Sequence, residues 1–307
     1  MSFDTLQEKI REKKNPTVAG LDPRLEFIPP HILNASLKEY GETLMGAADA
    51  VWEFSKGLID ALADIVPAVK PQSAYFERLG WSGMAMLEKI IRYAKGKGLF
   101  VIADVKRGDI GTTASAYSDA WLGSVRVGET ECPVFQADCV TLNGYMGSDS
   151  LTPFLETCKA LDKCAFVLAK TSNPSSVELQ DMVAGDRLVY KVMGDLTERL
   201  AKGTAGKYGY DALGVVVGAT HPNELKDLRK RLAHSFFLVP GYGAQGGTAE
   251  DVQYAFDRYG HGAIVNASRS IMCAWTKTGK DGADYQEAAA AAAITMRDEI
   301  GRYVTIV

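Results

Sequence analysis

The chain has 307 residues, of which 47% are apolar and 23% are charged, as is typical of a globular protein. Its net charge of -4 argues against nucleic acid or an anionic membrane as the main partner. The N-terminus lacks an apolar signal-peptide core, and no uncharged apolar run approaches the roughly 18 residues of a membrane helix. Five cysteines without a CxxC pair indicate reduced thiols, so we expect a cytoplasmic protein.

Short apolar segments of β type alternate along the chain with longer helical segments. Most of the short segments are apolar without interruption, which is typical of strands covered on both faces of a parallel sheet. The eight predicted strands cover residues 17–22, 68–72, 99–106, 138–143, 164–170, 212–219, 236–241 and 263–268. Apolar residues at three- and four-residue spacing predict helices between them, and an alanine-rich run predicts a closing helix over 284–303.

This alternation predicts an α/β fold, a (β/α)8 barrel that forms a single domain over residues 1–307. Such barrels usually have about 250 residues. The surplus here lies in a long loop over 23–40, in the segment 122–137 and in a long helical connection over 174–210. An open, doubly wound sheet is the alternative, but its usual glycine-rich first turn is absent after the first strand.

The active site of a (β/α)8 barrel lies at the carboxyl ends of the strands, so polar residues at those positions are the candidates. The first three predicted strands end in charged residues, namely Asp22, Lys70, Asp104 and Lys106, with Asp109 just beyond. The other strand ends carry Thr141, Asn143, Lys170, Thr171, Ser172, Thr220, His221 and the segments 240–247 and 266–269. Charged residues that converge from three strands predict a site rather than scattered ion pairs.

The third strand ends in the sequence Asp104-Val-Lys106-Arg-Gly-Asp109. Because successive side chains of a strand point to opposite faces, we expect Asp104 and Lys106 to project together. Carboxylates and an ammonium group are costly to desolvate unless each charge has a partner. Taken alone, this sequence favours a simple strand-end ion pair on a solvated loop, and only the other strand ends argue for a site.

The last two strand ends predict a site for an anion. Four glycines within residues 240–247 leave backbone N–H groups open, and a short helix over 268–271 would point its N-terminus at a ligand. Arg269 can add a bidentate contact to a phosphate. The loops after strands seven and eight form the usual phosphate site of such barrels. A flexible glycine-rich hairpin is the alternative for this loop alone.

The sequence Asp104-x-Lys106-x-x-Asp109-Ile110 resembles the signature of the orotidine 5'-phosphate decarboxylase family. Over nearly its whole length the chain is similar to the longer bacterial form of that family, the type 2 subfamily. Metal-dependent sugar-phosphate decarboxylases share the signature, but they carry an acidic metal ligand where this chain has Lys70, whose charge would repel Mg²⁺. The resemblance implies conversion of orotidine 5'-phosphate to UMP and CO2 in pyrimidine biosynthesis, with no cofactor and no metal.

The resemblance also implies a role for each matching residue. Lys106 would protonate the pyrimidine carbon that loses CO2, with Asp104 beside the substrate carboxylate. Asp109 would complete the charged array with Lys70. Asp109 and Thr113 would reach into the site of the neighbouring subunit, so the resemblance implies a homodimer.

The other matching residues would bind the substrate. Asp22 and Lys70 would contact ribose hydroxyls. Ser172 would hydrogen-bond the pyrimidine edge, a role that Thr171 or Asn173 could share. The phosphate contacts would come from Gln245, Ser268 and Arg269.

Two other functions stay open on the sequence. One is a Mg²⁺-dependent 3-keto sugar-phosphate decarboxylase of the same fold. The other is a sensor of phosphate ligands that kept the barrel and lost turnover, although the intact array of Asp104, Lys106 and Asp109 argues against it.

Overall fold

The structure is a computed structural model that describes residues 2–307, and its centre is a closed barrel of parallel strands. These strands are β1 (Thr17–Leu21), β2 (Ala68–Pro71), β3 (Phe100–Arg107), β4 (Cys139–Leu142), β5 (Cys164–Lys170), β6 (Leu213–Val217), β7 (Phe237–Val239) and β8 (Ala263–Ala267). Each strand pairs with its neighbours along the chain, and β8 pairs with β1. The predicted (β/α)8 barrel is therefore confirmed, and the open sheet is excluded.

Helices surround the barrel. They are α1 (Ser2–Lys13), α2 (Pro30–Tyr40), α3 (Leu44–Leu62), α4 (Ala74–Glu77), α5 (Gly80–Gly96), α6 (Gly111–Trp121), α7 (Thr152–Leu161), α8 (Val177–Gln180), α9 (Val189–Ala201), α10 (Pro222–Arg231), α11 (Ala249–Val252), α12 (Arg269–Met272) and α13 (Tyr285–Gly301). Short 3-10 turns lie at Leu25–Phe27, Ser148–Ser150, Pro174–Ser176, Gln253–Ala255 and Ala274–Lys277. Across residues 2–307, no helix is both long and apolar enough to span a membrane.

The segment 23–40 differs from the loop that the sequence predicts. Most of it is helix α2, which packs against α3 and buries Ile32. Pro30 occupies the first turn of α2, where the fixed φ of proline suits a helix and its missing N–H costs nothing. The prediction of a loop was wrong because the prolines here start a helix instead of interrupting one.

Two of the insertions contain antiparallel hairpins that the sequence analysis did not identify. The segment 122–137 holds the strands Ser124–Val127 and Thr130–Pro133, and the segment 174–210 holds Val183–Ala184 and Arg187–Leu188. Each turn contains a glycine with positive φ, Gly128 at 61° and Gly185 at 69°. The connection after β5 is therefore not helical throughout, because the second hairpin separates α8 from α9.

Helix α1 closes the amino end of the barrel. Phe3, Leu6 and Ile10 of this helix are at most 1% exposed and pack with buried side chains of the barrel strands. The ring of Phe3 stacks on that of Phe236 at 4.8 Å and lies 5.0 Å from that of Phe166. This end of the barrel is an apolar plug, which leaves the carboxyl end for a polar site.

Candidate active site

A cavity of about 550 Å³ opens at the carboxyl ends of the barrel strands. It is lined by eight of the ten residues predicted as catalytic or substrate-binding, namely Asp22, Lys70, Asp104, Lys106, Ser172, Gln245, Ser268 and Arg269. These side chains come from six different strand ends, as expected for this fold. The structure therefore brings together residues that lie up to 247 positions apart in the sequence, between Asp22 and Arg269.

Three charged side chains form a chain of ion pairs on one wall of this cavity. Lys70 Nζ donates to Asp104 Oδ2 at 2.5 Å, and Lys106 Nζ donates to Asp104 Oδ1 at 2.6 Å. Lys70 is 4% exposed and Asp104 is 6% exposed, whereas the side chain of Lys106 is 46% exposed. All three side chains line the cavity, and Lys106 is the one most open to it.

The array keeps its buried members charged. Burial favours the neutral form of Asp104, but the positive charges of Lys70 and Lys106 outweigh burial and hold the pKa of Asp104 well below its usual value. Burial likewise favours the neutral form of Lys70, yet the carboxylates of Asp104 and Asp22 raise the pKa of Lys70 above its usual value. Near neutral pH the site therefore holds a fixed pattern of alternating charge.

Strand β3 is irregular where it carries these residues. Three residues of β3, from Asp104 to Lys106, lie opposite the single residue Thr141 of β4. Lys106 has a φ of 45°, in the left-handed region that non-glycine residues rarely adopt. Asp104 and Lys106 do project together, as predicted, but they meet through this irregularity and not through regular strand alternation.

The glycine-rich loop 240–247 borders the cavity after β7. Gly241 and Gly246 have φ values of 98°, and Gly243 has a φ of 70°. Residues other than glycine rarely adopt such backbone conformations, so the path of this loop requires glycine at these three positions. The side chain of Gln245 projects from this loop and lines the cavity.

The connection between β8 and α12 supplies the predicted arginine. The first residue of α12 is Arg269, which confirms the predicted short helix, and its side chain is exposed beside the cavity. Ser268 lies directly over β1, because its Oγ is only 1.9 Å from where a Cβ of Gly20 would stand. Together with Gln245, these residues provide amide, hydroxyl and guanidinium donors for an anion.

At the end of β5, the structure distinguishes between the three candidates for a pyrimidine contact. Gln180 Nε2 donates to the hydroxyl of Thr171, which in turn donates to Asn173 Oδ1 at 2.7 Å. All three residues line the cavity, but the hydroxyl of Ser172, unlike that of Thr171, has no hydrogen-bond partner among residues 2–307. This arrangement favours Ser172 as the hydrogen-bonding group for a ligand.

Some residues at strand ends lie outside this cavity. Asp109 accepts a hydrogen bond from its neighbour Ile110 at 2.8 Å, and Thr113 is exposed on the first turn of α6. Lys170 is fully buried and donates to Asp181 Oδ1 at 2.6 Å, so it is a structural residue. The placement of Asp109 and Thr113 in a neighbouring subunit stays a prediction.

Asn266 lines the cavity; the sequence placed it at a strand end, but no catalytic or binding role was predicted for it. It is 8% exposed, and its Oδ1 is buried without a hydrogen-bond partner in the described chain, as is Asp22 Oδ1. Buried acceptors of this kind require a donor, and a ligand hydroxyl could supply one. The signal in the sequence was a single amide interrupting the apolar run of β8 at its carboxyl end.

The described part of the chain holds no cluster of side chains that could bind a metal ion. Nowhere in residues 2–307 do three or more His, Cys, Asp or Glu side chains come together as ligands would. At the end of β2, the position that would hold an acidic ligand in metal-dependent relatives is occupied by the ammonium group of Lys70.

The fold and the cavity define a (β/α)8-barrel enzyme whose site suits an anionic substrate. The model of the orotidine 5'-phosphate decarboxylase / HUMPS family matches residues 43–279, and the chain belongs to this family. It is 42% identical over 305 residues to the orotidine 5'-phosphate decarboxylase of Rhodopirellula baltica, with 98% of this chain and 99% of the relative covered.

Two further comparisons agree with this assignment. The orotidine 5'-phosphate decarboxylase of Clostridium perfringens strain 13 is 40% identical over 301 residues, with 98% of each chain covered. The solved structure of Leishmania donovani OMP decarboxylase superposes with a TM-score of 0.72 at 33% identity and 98% coverage of both chains. The activity of the chain is therefore that of an orotidine 5'-phosphate decarboxylase.

Proposed function

We propose that this protein converts orotidine 5'-phosphate to UMP and CO2 without metal or cofactor, with Lys106 as the proton donor. The observation that carries this proposal is the ion-pair array in which buried Asp104 has Lys70 and Lys106 as its two partners. Such an array is preorganised, because its two buried charges, Lys70 and Asp104, are already paired before the substrate binds.

The proposed chemistry uses this fixed charge. Loss of CO2 leaves a carbanion on the pyrimidine ring, and the ammonium group of Lys106 would stabilise the negative charge as it develops. The same group would then donate its proton to that carbon. Asp104 would lie beside the substrate carboxylate and hold Lys106 in place through its hydrogen bond of 2.6 Å.

The rest of the cavity would bind the nucleotide. We assign the phosphate to Gln245, Ser268 and Arg269, and the pyrimidine edge to Ser172. Asp22 and Lys70 would hold the ribose, since Asp22 Oδ1 is a buried acceptor without a partner in residues 2–307. Contacts to the phosphate, remote from the reacting carbon, would supply binding energy that orders the loops around the substrate.

The test of this reaction is direct. Protein treated with EDTA is incubated with orotidine 5'-phosphate, and the loss of orotate absorbance is followed. We expect full activity without added metal. Activity only on a 3-keto sugar phosphate, abolished by EDTA, would instead establish the metal-dependent decarboxylase. Tight UMP binding without CO2 release would establish the sensor.

We also propose a homodimer in which Asp109 completes the charged array of the partner's site. Asp109 does not line the cavity of its own subunit, and Ile110 beside it is 52% exposed. Gly108 lies against Asn143, so this loop adjoins the exposed side chains of Tyr145 and Met146. Apolar side chains exposed next to a polar site are typical of an interface between subunits.

Mixed dimers test this arrangement. Lys106→Ala and Asp109→Ala proteins should each be inactive alone, since each alters every site of its own dimer. After random exchange, mixed dimers contain one intact site, so activity should return to about a quarter of the wild-type value. No recovery in subunits that do exchange would place Asp109 in its own site or outside the reaction.

A cytoplasmic location is our proposal for the protein in the cell. All five cysteines within residues 2–307 are free thiols, and four of them are buried. Unpaired thiols are typical of proteins in a reducing compartment.

A further inference from the structure

The pairing of β3 with β4 is broken at the point where β3 carries the reactive lysine. Ala103 pairs with Val140, and pairing resumes only at Arg107 and Leu142. Thr141 is thus the single residue of β4 that faces three residues of β3. A regular parallel ladder would leave the extra backbone N–H groups without acceptors, and buried N–H groups require them.

The hydroxyl group of Thr141 takes the place of the missing ladder. Thr141 is 1% exposed, and its Oγ1 accepts hydrogen bonds from the backbone N–H groups of Val105 and Lys106, both at 3.0 Å. The same hydroxyl donates to Asp104 Oδ1 at 2.8 Å. A hydroxyl has one proton and two lone pairs, so these three bonds use its full capacity and fix the direction of its proton.

We propose that Thr141 is a positioning residue that sets Lys106 for proton transfer. The hydroxyl of Thr141 holds the backbone N–H of Lys106, whose φ of 45° is unfavourable for a lysine. It also orients Asp104 Oδ1, the oxygen that receives Lys106 Nζ. One group therefore fixes both the main chain of Lys106 and the acceptor of its ammonium group.

This inference rests on the proposed role of Lys106. Without the hydroxyl of Thr141, the backbone at Lys106 can relax toward an extended φ, and its Nζ would move away from the reacting carbon. Misplacement of a catalytic group slows the chemical step more than it weakens binding. Thr141 should therefore affect kcat and leave ground-state affinity nearly unchanged.

The central variant is Thr141→Val, which keeps the branched shape and removes the hydroxyl. We expect kcat to fall by about 10–100-fold. Thr141 lines the cavity, but all three hydrogen bonds of its hydroxyl are made within the protein. KM and the Kd of UMP should therefore stay within about threefold of the wild-type values. Steady-state kinetics and titration with UMP measure these quantities.

Two variants separate the hydroxyl from simple packing. Thr141→Ser keeps the hydroxyl and should retain kcat within about threefold. Thr17→Val makes the same chemical change in a threonine that is also buried but whose Oγ1 has no partner in the described chain, and it should leave kcat unchanged. If Thr141→Val does not fold, Thr141→Ala removes the same hydroxyl and carries the same expectation.

The possible results give distinct conclusions. Three results would each overturn the positioning role. The Thr141→Val protein could keep the wild-type kcat, or it could change only in KM. The valine and serine variants could also lose kcat to the same extent. An active Lys106→Ala protein would overturn the proposed role of Lys106, and this inference with it. An inactive Lys106→Ala protein beside a fully active Thr141→Val protein would contradict only this inference.

Discussion

The two ends of the barrel are closed in opposite ways. At the amino end, Phe3 and its neighbours fill the barrel with aromatic and aliphatic side chains. At the carboxyl end, Lys70 and Asp104 are also almost fully buried, but they are charged. Burial of apolar surface stabilises the amino end, whereas the buried ion pairs at the carboxyl end add little net stability. The comparison supports our proposal that the charged end serves the reaction, whereas the apolar plug stabilises the fold.

The prediction that tests this contrast most strongly concerns Lys106. Lys106→Ala should lower kcat by at least about 10³-fold, because in the proposed mechanism one side chain supplies both the charge stabilisation and the proton. The melting temperature should change little, since this side chain is 46% exposed. The decrease in orotate absorbance and a thermal unfolding curve measure the two quantities.

A lysine at the amino end is the matched control. Lys97 also forms an ion pair, with Asp60 at 2.6 Å. Lys97→Ala should keep the wild-type kcat. If Lys106→Ala were as active as Lys97→Ala, the charged end would have no special part in the reaction.

The opposite result is expected for the apolar plug. Phe3→Ala should lower the free energy of unfolding by about 3–5 kcal/mol, because it leaves a cavity among tightly packed rings. At temperatures where the variant is folded, kcat should match that of the wild type. Tyr303→Ala, at a side chain that is 48% exposed, should change stability by no more than about 0.5 kcal/mol. A Phe3→Ala protein with normal stability and reduced kcat would reverse our assignment of the two ends.

The sequence predicted the barrel because strands buried on both faces have a distinctive apolar pattern, and all eight strands were found. It did not predict α2, since prolines at the start of a helix resemble a loop in a single sequence. The hairpins in 122–137 and 174–210 were missed because their strands are short and mostly exposed. Exposed strands lack the apolar pattern on which strand prediction depends.

The grouping of the site residues was predictable, because it follows from the order of the strands along the chain. Because the carboxyl ends of parallel strands meet at one end of a barrel, the sequence alone groups residues as distant as Asp22 and Arg269. The left-handed conformation of Lys106 was not predictable, since it depends on the pairing of β3 with Thr141. The lack of a hydrogen-bond partner for Asn266 Oδ1 was likewise not predictable, because hydrogen-bond partners are known only from the three-dimensional structure.

A smaller effect is expected at the phosphate side of the charged end. Arg269→Ala should lower kcat/KM by about 10–100-fold, because it removes the charge-assisted contact that we propose to the substrate phosphate. Added guanidinium ion should restore part of this loss, since it replaces the missing group. Arg92→Ala removes an exposed arginine that does not line the cavity and should show neither loss nor rescue. An Arg269→Ala protein with unchanged kcat/KM would remove Arg269 from the phosphate site.

The smallest effect concerns a charged cluster at the amino end, where α3 leads into β2. Partial burial opposes the charge of Asp60, but hydrogen bonds from Lys97, Tyr93 and Lys56 outweigh it and lower the pKa of Asp60 from 3.8 to about 2. A carboxyl group with a lowered pKa stabilises the folded state above its unfolded pKa, and this stabilisation is lost as pH falls from about 4 to 2. In the array at the carboxyl end two of the three members are buried, whereas several side chains of this cluster are exposed to solvent.

Asp60→Asn should therefore lower the free energy of unfolding by only about 1 kcal/mol at pH 7, because solvent screens these partners. The difference from the wild type should shrink at pH 3, where the unfolded wild-type chain is itself largely protonated at this position. Urea unfolding at the two pH values measures this difference in the free energy of unfolding. The kcat of the variant should equal that of the wild type. An equal difference at both pH values would show that Asn disrupts packing rather than removing a charge. A changed kcat would mean that the two ends of the barrel are not as separate as their structures indicate.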